Sequence, residues 1–125
     1  AKYDSQKDIY AAVFKELTEA AAALNSNKAD QAAYKDNQDL IYNGDMKKWV
    51  RLANSLRLRY ALRLVYVDPA LAKQEGEAAL AATGGLLQSN DDNAGVYISG
   101  TGANGWPLFQ ISGWGEFCMS KTMAP

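Results

Sequence analysis

Apolar positions recur every three or four residues over two stretches of the chain and thin out after residue 83. The first stretch runs over residues 5–24. Ile9, Val13, Leu17, Ala20, Ala21 and Leu24 fall on one stripe at helical spacing, widened by Tyr10 and Phe14. Ser5, with Asp8 three residues on, supplies a capping signal at its start. Alanines 20–23 keep the far end narrow, so a neighbouring helix can approach closely. The second stretch begins after Asn43-Gly44 with Asp45 as N-cap and reaches about Tyr66. Met46, Trp49, Ala53, Leu56, Tyr60 and Leu64 share one face, whereas Leu58, Leu62 and Val65 point the other way. A helix apolar on two faces needs two sets of neighbours. Asp68-Pro69 stops it and opens a weaker third helix, 69–82, with proline in the first turn. Thr83-Gly84-Gly85 closes that one, since glycine takes the left-handed terminal conformation at little cost.

The remaining segments are polar. Residues 25–38 read as a long connection with one helical turn near Ala32. From residue 84 the chain is rich in Gly, Asn, Asp and Ser and reads as loop, with a short strand at 96–98 and the start of a fourth helix at 116–123. The pattern predicts an all-α chain: a helical region over 1–83, with antiparallel helices near 5–24, 45–66 and 69–82, followed by a loop-rich segment, 84–125.

Charge changes the picture in one place. All four arginines, Arg51, Arg57, Arg59 and Arg63, lie in the second helix, and residues 45–67 set six cations against Asp45 alone. The chain as a whole carries −1, which gives no basic excess for nucleic acid. A membrane-surface helix would separate polar from apolar faces; here Arg51 shares a side with Leu58, Leu62 and Val65. The remaining use is internal. Long arginine stems lie along apolar surface, and their planar heads pair with carboxylates on neighbouring elements. By this reading Arg59 and Arg63 are paired with acids or carbonyls just as Arg51 and Arg57 are.

Catalytic chemistry finds little support. There is no histidine, and the single cysteine, Cys118, forms no internal disulfide. Asp91 and Asp92 in "SNDDN" hint at calcium, but the alternating acids and closing glutamate of a calcium loop are missing. Adjacent acids do not straddle a glycosidic bond as paired carboxylates ~5–9 Å apart would. No metal, cofactor or catalytic residue is assigned. Asn54 and Ser55, unfavourable in mid-helix, call for partners on another helix or a loop. Trp49 reads as a packing anchor. The candidates for ligand contact are the loop aromatics Tyr97, Trp106 and Trp114, with Phe109 beside them. A flat ring stacks on a sugar face while neighbouring Asn and Asp side chains bond its hydroxyls.

The stretch "DLIYNGDMKKWVRLANSLRLRYALRLVYVDPALAKQEGEAAL" resembles the hallmark region of the SusD-like (RagB/SusD) family. The matching positions are Asp39, Tyr42, Gly44, Asp45, Trp49, Ala53-Asn54-Ser55-Leu56, Arg59 and Asp68-Pro69. "GGLLQSNDDNA" and "WGEFCMSKTM" also look like segments of that family. The resemblance implies a fold of tetratricopeptide-like helix pairs and a non-enzymatic, surface-exposed lipoprotein of the outer membrane. Such a protein binds a glycan or other nutrient and serves a SusC-like TonB-dependent transporter. Family members are several times longer, so the resemblance makes this chain an interior fragment of one larger domain. The lipid anchor lies outside the chain, and Cys118 is not its cysteine. A general protein-interaction scaffold is the alternative, because helices of this type also bind peptides. With its second apolar face uncovered, the fragment is expected to self-associate.

Overall fold

The computed structural model describes residues 3–26 and 38–96; the turn expected near Ala32, all but Val96 of the strand expected at 96–98, the fourth helix expected at 116–123 and Cys118 lie outside the described residues. All but Val96 belong to one compact unit, Ala1–Gly95. The described residues form three α-helices, α1 (Gln6–Ser26), α2 (Met46–Arg63) and α3 (Pro69–Leu80), and a single 3-10 turn (Asn90–Asp92). Among them there is no strand, as the periodicity predicts.

Each boundary has a local cause. Ser5 and Asp8 bond reciprocally at the start of α1: the Asp8 N–H donates to the serine Oγ, and the hydroxyl donates back to the carboxylate at 2.6 Å. Asp45 caps α2 by accepting from the N–H groups of Lys47 and Lys48. This helix ends at Arg63, three residues short of the predicted Tyr66. The N–H groups of Val67 and Asp68 both turn back to the Leu64 carbonyl. Pro69 disfavours the helical conformation at Asp68, which has φ −143° and ψ 82°, so the helix has to stop before it. Asp68 then caps α3 through the Leu71 N–H, with proline in the first turn.

α2 is the central helix, packed by α1 on one side and α3 on the other. Both neighbours run antiparallel to it. Tyr10 near the start of α1 meets Tyr60 near the end of α2 edge-on, 6.1 Å between centroids. At the other end, Asn25 and Asn54 bond the same Thr83 carbonyl beyond the end of α3. The core gathers on Phe14, Ala61, Leu64 and Ala72, with Tyr10, Tyr60 and Leu71 packed around it.

The predicted stripes hold at Ala21, Met46, Ala53 and Leu64, which are buried, and are widened to one side by the positions next to other stripe members. In α1 the buried residues are Phe14 and Ala21, flanked by half-buried Tyr10 and Leu17, while Ile9 is half exposed. In α2 the innermost residues are Val50, Ala53, Asn54 and Ala61. Small side chains at Ala61, Ala72 and Gly76 let α2 and α3 approach closely: a Cβ on Gly76 would lie 3.8 Å from both Ala61 and Leu58. The second apolar face of α2 is only partly used. Leu58 is half-buried beside α3, but Leu62 is 63% and Val65 40% exposed, and with Leu80 they edge an open apolar groove of about 320 Å³.

Candidate functional site

The hallmark residues converge at the start of α2. Asp39 organises the turn before the helix. One carboxylate oxygen accepts from the N–H groups of Ile41 and Tyr42; the other accepts from the Gly44 N–H at 3.0 Å and the Trp49 indole N–H at 2.7 Å. Asn43 and Gly44 both have positive φ, the conformation that an Asn-Gly pair adopts most readily. Burial pushes the Asp39 carboxyl up, but the bonds from Trp49, Gly44, Ile41 and Tyr42 outweigh it and hold the group at about 2. The acidic residue, the Tyr-x-Gly-Asp and the Trp of the motif are therefore one hydrogen-bonded unit.

A second layer ties this unit to the 3-10 turn. The Tyr42 ring stands edge-on to Trp49 at 5.2 Å, and its hydroxyl donates to the Asp92 carbonyl at 2.7 Å. Burial, then the charges of Asp92 and Asp39, push the Tyr42 hydroxyl pKa up. Lys48 donates to the Asp91 carbonyl at 2.6 Å. The Arg51 guanidinium reaches both oxygens of the buried Asp92 carboxylate, at 3.1 and 3.3 Å, and the Gln88 N–H donates to the same group. Asp92 is held below the usual carboxylate range by the Gln88 bond first, against the opposing effect of burial, and then by Arg51. Asp91 and Asp92 thus end a structural tie. Among the described residues no cluster of acids, cysteine or histidine could hold a metal ion.

Further along α2, Asn54 donates from one amide nitrogen to the carbonyls of Thr83 (3.2 Å) and Gly85 (3.0 Å), and Ser55 accepts from the Leu87 N–H (2.9 Å). Both polar mid-helix residues bind the returning loop. Arg57 makes a 2.7 Å ion pair with Glu75 on α3, and both side chains are largely buried. The expectation for the arginines holds at Arg51 and Arg57 and fails at Arg59 and Arg63. These two are exposed and make no ion pair among the described residues. They sit on sides of α2 that neither the loop 88–92 nor α3 covers with a carboxylate. The arrangement offers two ion pairs, a capped turn and bridged carbonyls, which is chemistry for holding a shape; Arg51 Nε is buried there without a partner among the described residues. The ligand candidates Tyr97, Trp106 and Trp114, like Phe109, lie outside the described residues.

Residues 1–125 match the sequence profile of the family described as Susd and RagB outer membrane lipoprotein. The chain belongs to the SusD-like family. Among solved structures, a SusD homologue from Bacteroides uniformis is 40% identical, with a TM-score of 0.75 over 87% of this chain and 22% of that one. A chitin-binding SusD homologue from Flavobacterium johnsoniae is 41% identical, with a TM-score of 0.73 over 88% and 23%. A SusD homologue from Bacteroides vulgatus is 32% identical, with a TM-score of 0.71 over 90% and 22%. No curated protein matches the chain. The chain thus spans less than a quarter of the length of these SusD homologues. The antiparallel helices agree with the tetratricopeptide-like fold expected for the family. No described helix is long and apolar enough to cross a membrane.

Proposed function

We propose that the chain is the helical scaffold segment of a non-enzymatic glycan-binding protein at the outer surface of the cell. The observation that carries the reading is the match to a chitin-binding SusD homologue, 41% identical over 88% of this chain. The acids at the hallmark site are committed to the fold: Asp39 accepts four bonds and Asp92 is paired with Arg51, so neither is free to serve as acid or base. In this reading the ligand passes to a SusC-like TonB-dependent transporter, and Tyr97, Trp106 and Trp114 supply stacking contacts. The test is a pull-down on insoluble polysaccharides, chitin among them, using the family-length protein, with sugar release measured in parallel and the outer-membrane fraction probed for a co-purifying barrel protein. Retention on a polysaccharide without turnover is expected. Release of oligosaccharides, or no retention on any polysaccharide, would sink the reading.

A protein-interaction scaffold is the rival, and the exposed Leu62, Val65 and Leu80 favour it. It predicts that charge at Leu62 abolishes partner capture and leaves polysaccharide retention unchanged.

A further inference from the structure

α1 and α3 flank α2 and leave a cleft between them of about 440 Å³. Ala11, Phe14 and Leu71 give it apolar surface, and Arg57 and Glu75 stand in its wall. The ion pair between these two uses one nitrogen and one oxygen, Arg57 Nε and Glu75 Oε2. The other guanidinium nitrogens and Glu75 Oε1 have no hydrogen-bond partner among the described residues. None of them is sealed in the interior; Glu75 lines this cleft, and Arg57 lines both it and a second one beside Asn54 and Thr83. At the rim, Lys15 and Glu19 form a second pair at 4.0 Å. Each cation lining the cleft is therefore matched by an acid.

These features select a ligand class. A cleft that combines apolar surface with a few convergent polar groups is the usual form of a small-molecule site. With its charges balanced, this one offers a free anion or cation no net attraction. What remains are fixed donors on a guanidinium and a fixed acceptor on a carboxylate, side by side. A pair of neighbouring hydroxyls, each able to donate and accept, satisfies both at once. An apolar ring face can lie on Ala11 and Leu71, over a floor closed by the buried Phe14. We propose that this cleft holds one neutral sugar residue of a bound glycan, with Arg57 and Glu75 bonding its hydroxyls. The proposal rests on the glycan-binding reading and gives it a contact point on the helical scaffold, apart from the aromatic loop residues.

The test is an NMR titration of the 125-residue chain with a short chito-oligosaccharide, a neutral malto-oligosaccharide and an oligogalacturonate, each at millimolar concentration. The amide signals of Ala11, Phe14, Thr18 and Glu75 are expected to shift with a neutral oligosaccharide and not with the anionic one. The double variant Arg57→Leu/Glu75→Leu removes both charges together, a change that helical cores often tolerate. It should keep the helical circular dichroism and lose the shifts, with binding weakened about tenfold or more. Ala11→Trp fills the cleft from an exposed position and should do the same, which keeps the test decisive if the double variant unfolds. Unchanged binding by either folded variant overturns the proposal, as does preference for the anionic sugar. Shifts confined to residues elsewhere overturn the cleft and leave the glycan reading standing. No shift with any oligosaccharide also overturns the cleft, while the polysaccharide pull-down with the family-length protein decides the broader reading separately.

Discussion

Asp39 shows how a single carboxylate can carry a family motif without touching a ligand. Its four donors hold it at about 2, below the ordinary value near ~3.9 for an aspartate. The sign follows from linkage. A carboxyl whose folded value is depressed adds stability that is fully present above about pH 4 and is lost as pH falls towards about 2. Urea unfolding at pH 6, 4 and 2.5 should therefore show a loss of stability across the lower interval, and Asp39→Asn should flatten that part of the curve. Trp49→Phe removes the shortest donor to Asp39. Its expected signature is a rise in the Asp39 titration midpoint, read from the carboxyl carbon by NMR. The arginines give a second contrast at this scale. Truncating Arg57 to alanine strands the largely buried Glu75 and should cost about 3–5 kcal/mol by urea unfolding. Arg59→Leu, at an exposed position, should stay within about 0.5 kcal/mol of wild type. Residue type and spacing made all four arginines look alike. What separates them is where α3 and the loop 88–92 return, and that is decided by contacts 18 and 41 residues away in the chain.

Among the elements, the helices were legible because capping residues and apolar periodicity act locally. Asp45, Asp68-Pro69 and the Ser5/Asp8 pair sit where the sequence places them. The stripes were only partly legible, with Val50, Asn54 and Ala61 buried beside the expected Met46, Ala53 and Leu64, because a helix's inner face is set by what packs on it. Ala61 is innermost in α2 because α3 crosses there, next to Ala72 and Gly76, and no local rule marks that alanine. Asn54 was readable as a residue in need of partners, but not as the bridge to two particular carbonyls. Asn54→Ala would leave the Gly85 carbonyl without its side-chain donor and the Thr83 carbonyl with only the longer bond from Asn25, for an expected cost of about 1–3 kcal/mol. The same returning loop passes over Val50 at Gly84. There φ is +96°, and an added Cβ would lie 2.6 Å from a Val50 methyl. Gly84→Ala meets both strain and overlap and should lower stability by about 1–3 kcal/mol, measured as a drop in Tm or in urea midpoint.

At the scale of the whole molecule, α2 is the only described helix with a neighbour on each side, and it still leaves apolar surface uncovered. The chain spans less than a quarter of its solved relatives, so much of the surrounding scaffold in those proteins has no counterpart in these 125 residues. Size-exclusion chromatography with light scattering on the isolated chain should show concentration-dependent association, and Leu62→Glu should shift it towards monomer. The same incompleteness sets the expected strength of glycan binding. One sugar residue in one cleft gives weak affinity; useful affinity needs several contacts fixed in a single arc. The family was legible because its motif is a dense set of turn, cap and anchor residues. The ligand was not, because that motif is spent on the fold.

The bond from Tyr42 to the Asp92 carbonyl joins residues 50 apart in sequence, with the whole α2–α3 hairpin between them. Such a bond closes a long loop, and its entropic cost is met only once the hairpin has shortened the path. The order of events follows. The α2–α3 hairpin, built from near neighbours, forms early, and the tie between the two turns closes late. Removing that tie with Tyr42→Phe should therefore leave the refolding rate nearly unchanged and speed unfolding, which stopped-flow measurements in urea would resolve. In this molecule the most recognisable residues of the sequence act as a latch on a structure already assembled, and they govern how long it lasts more than how fast it forms.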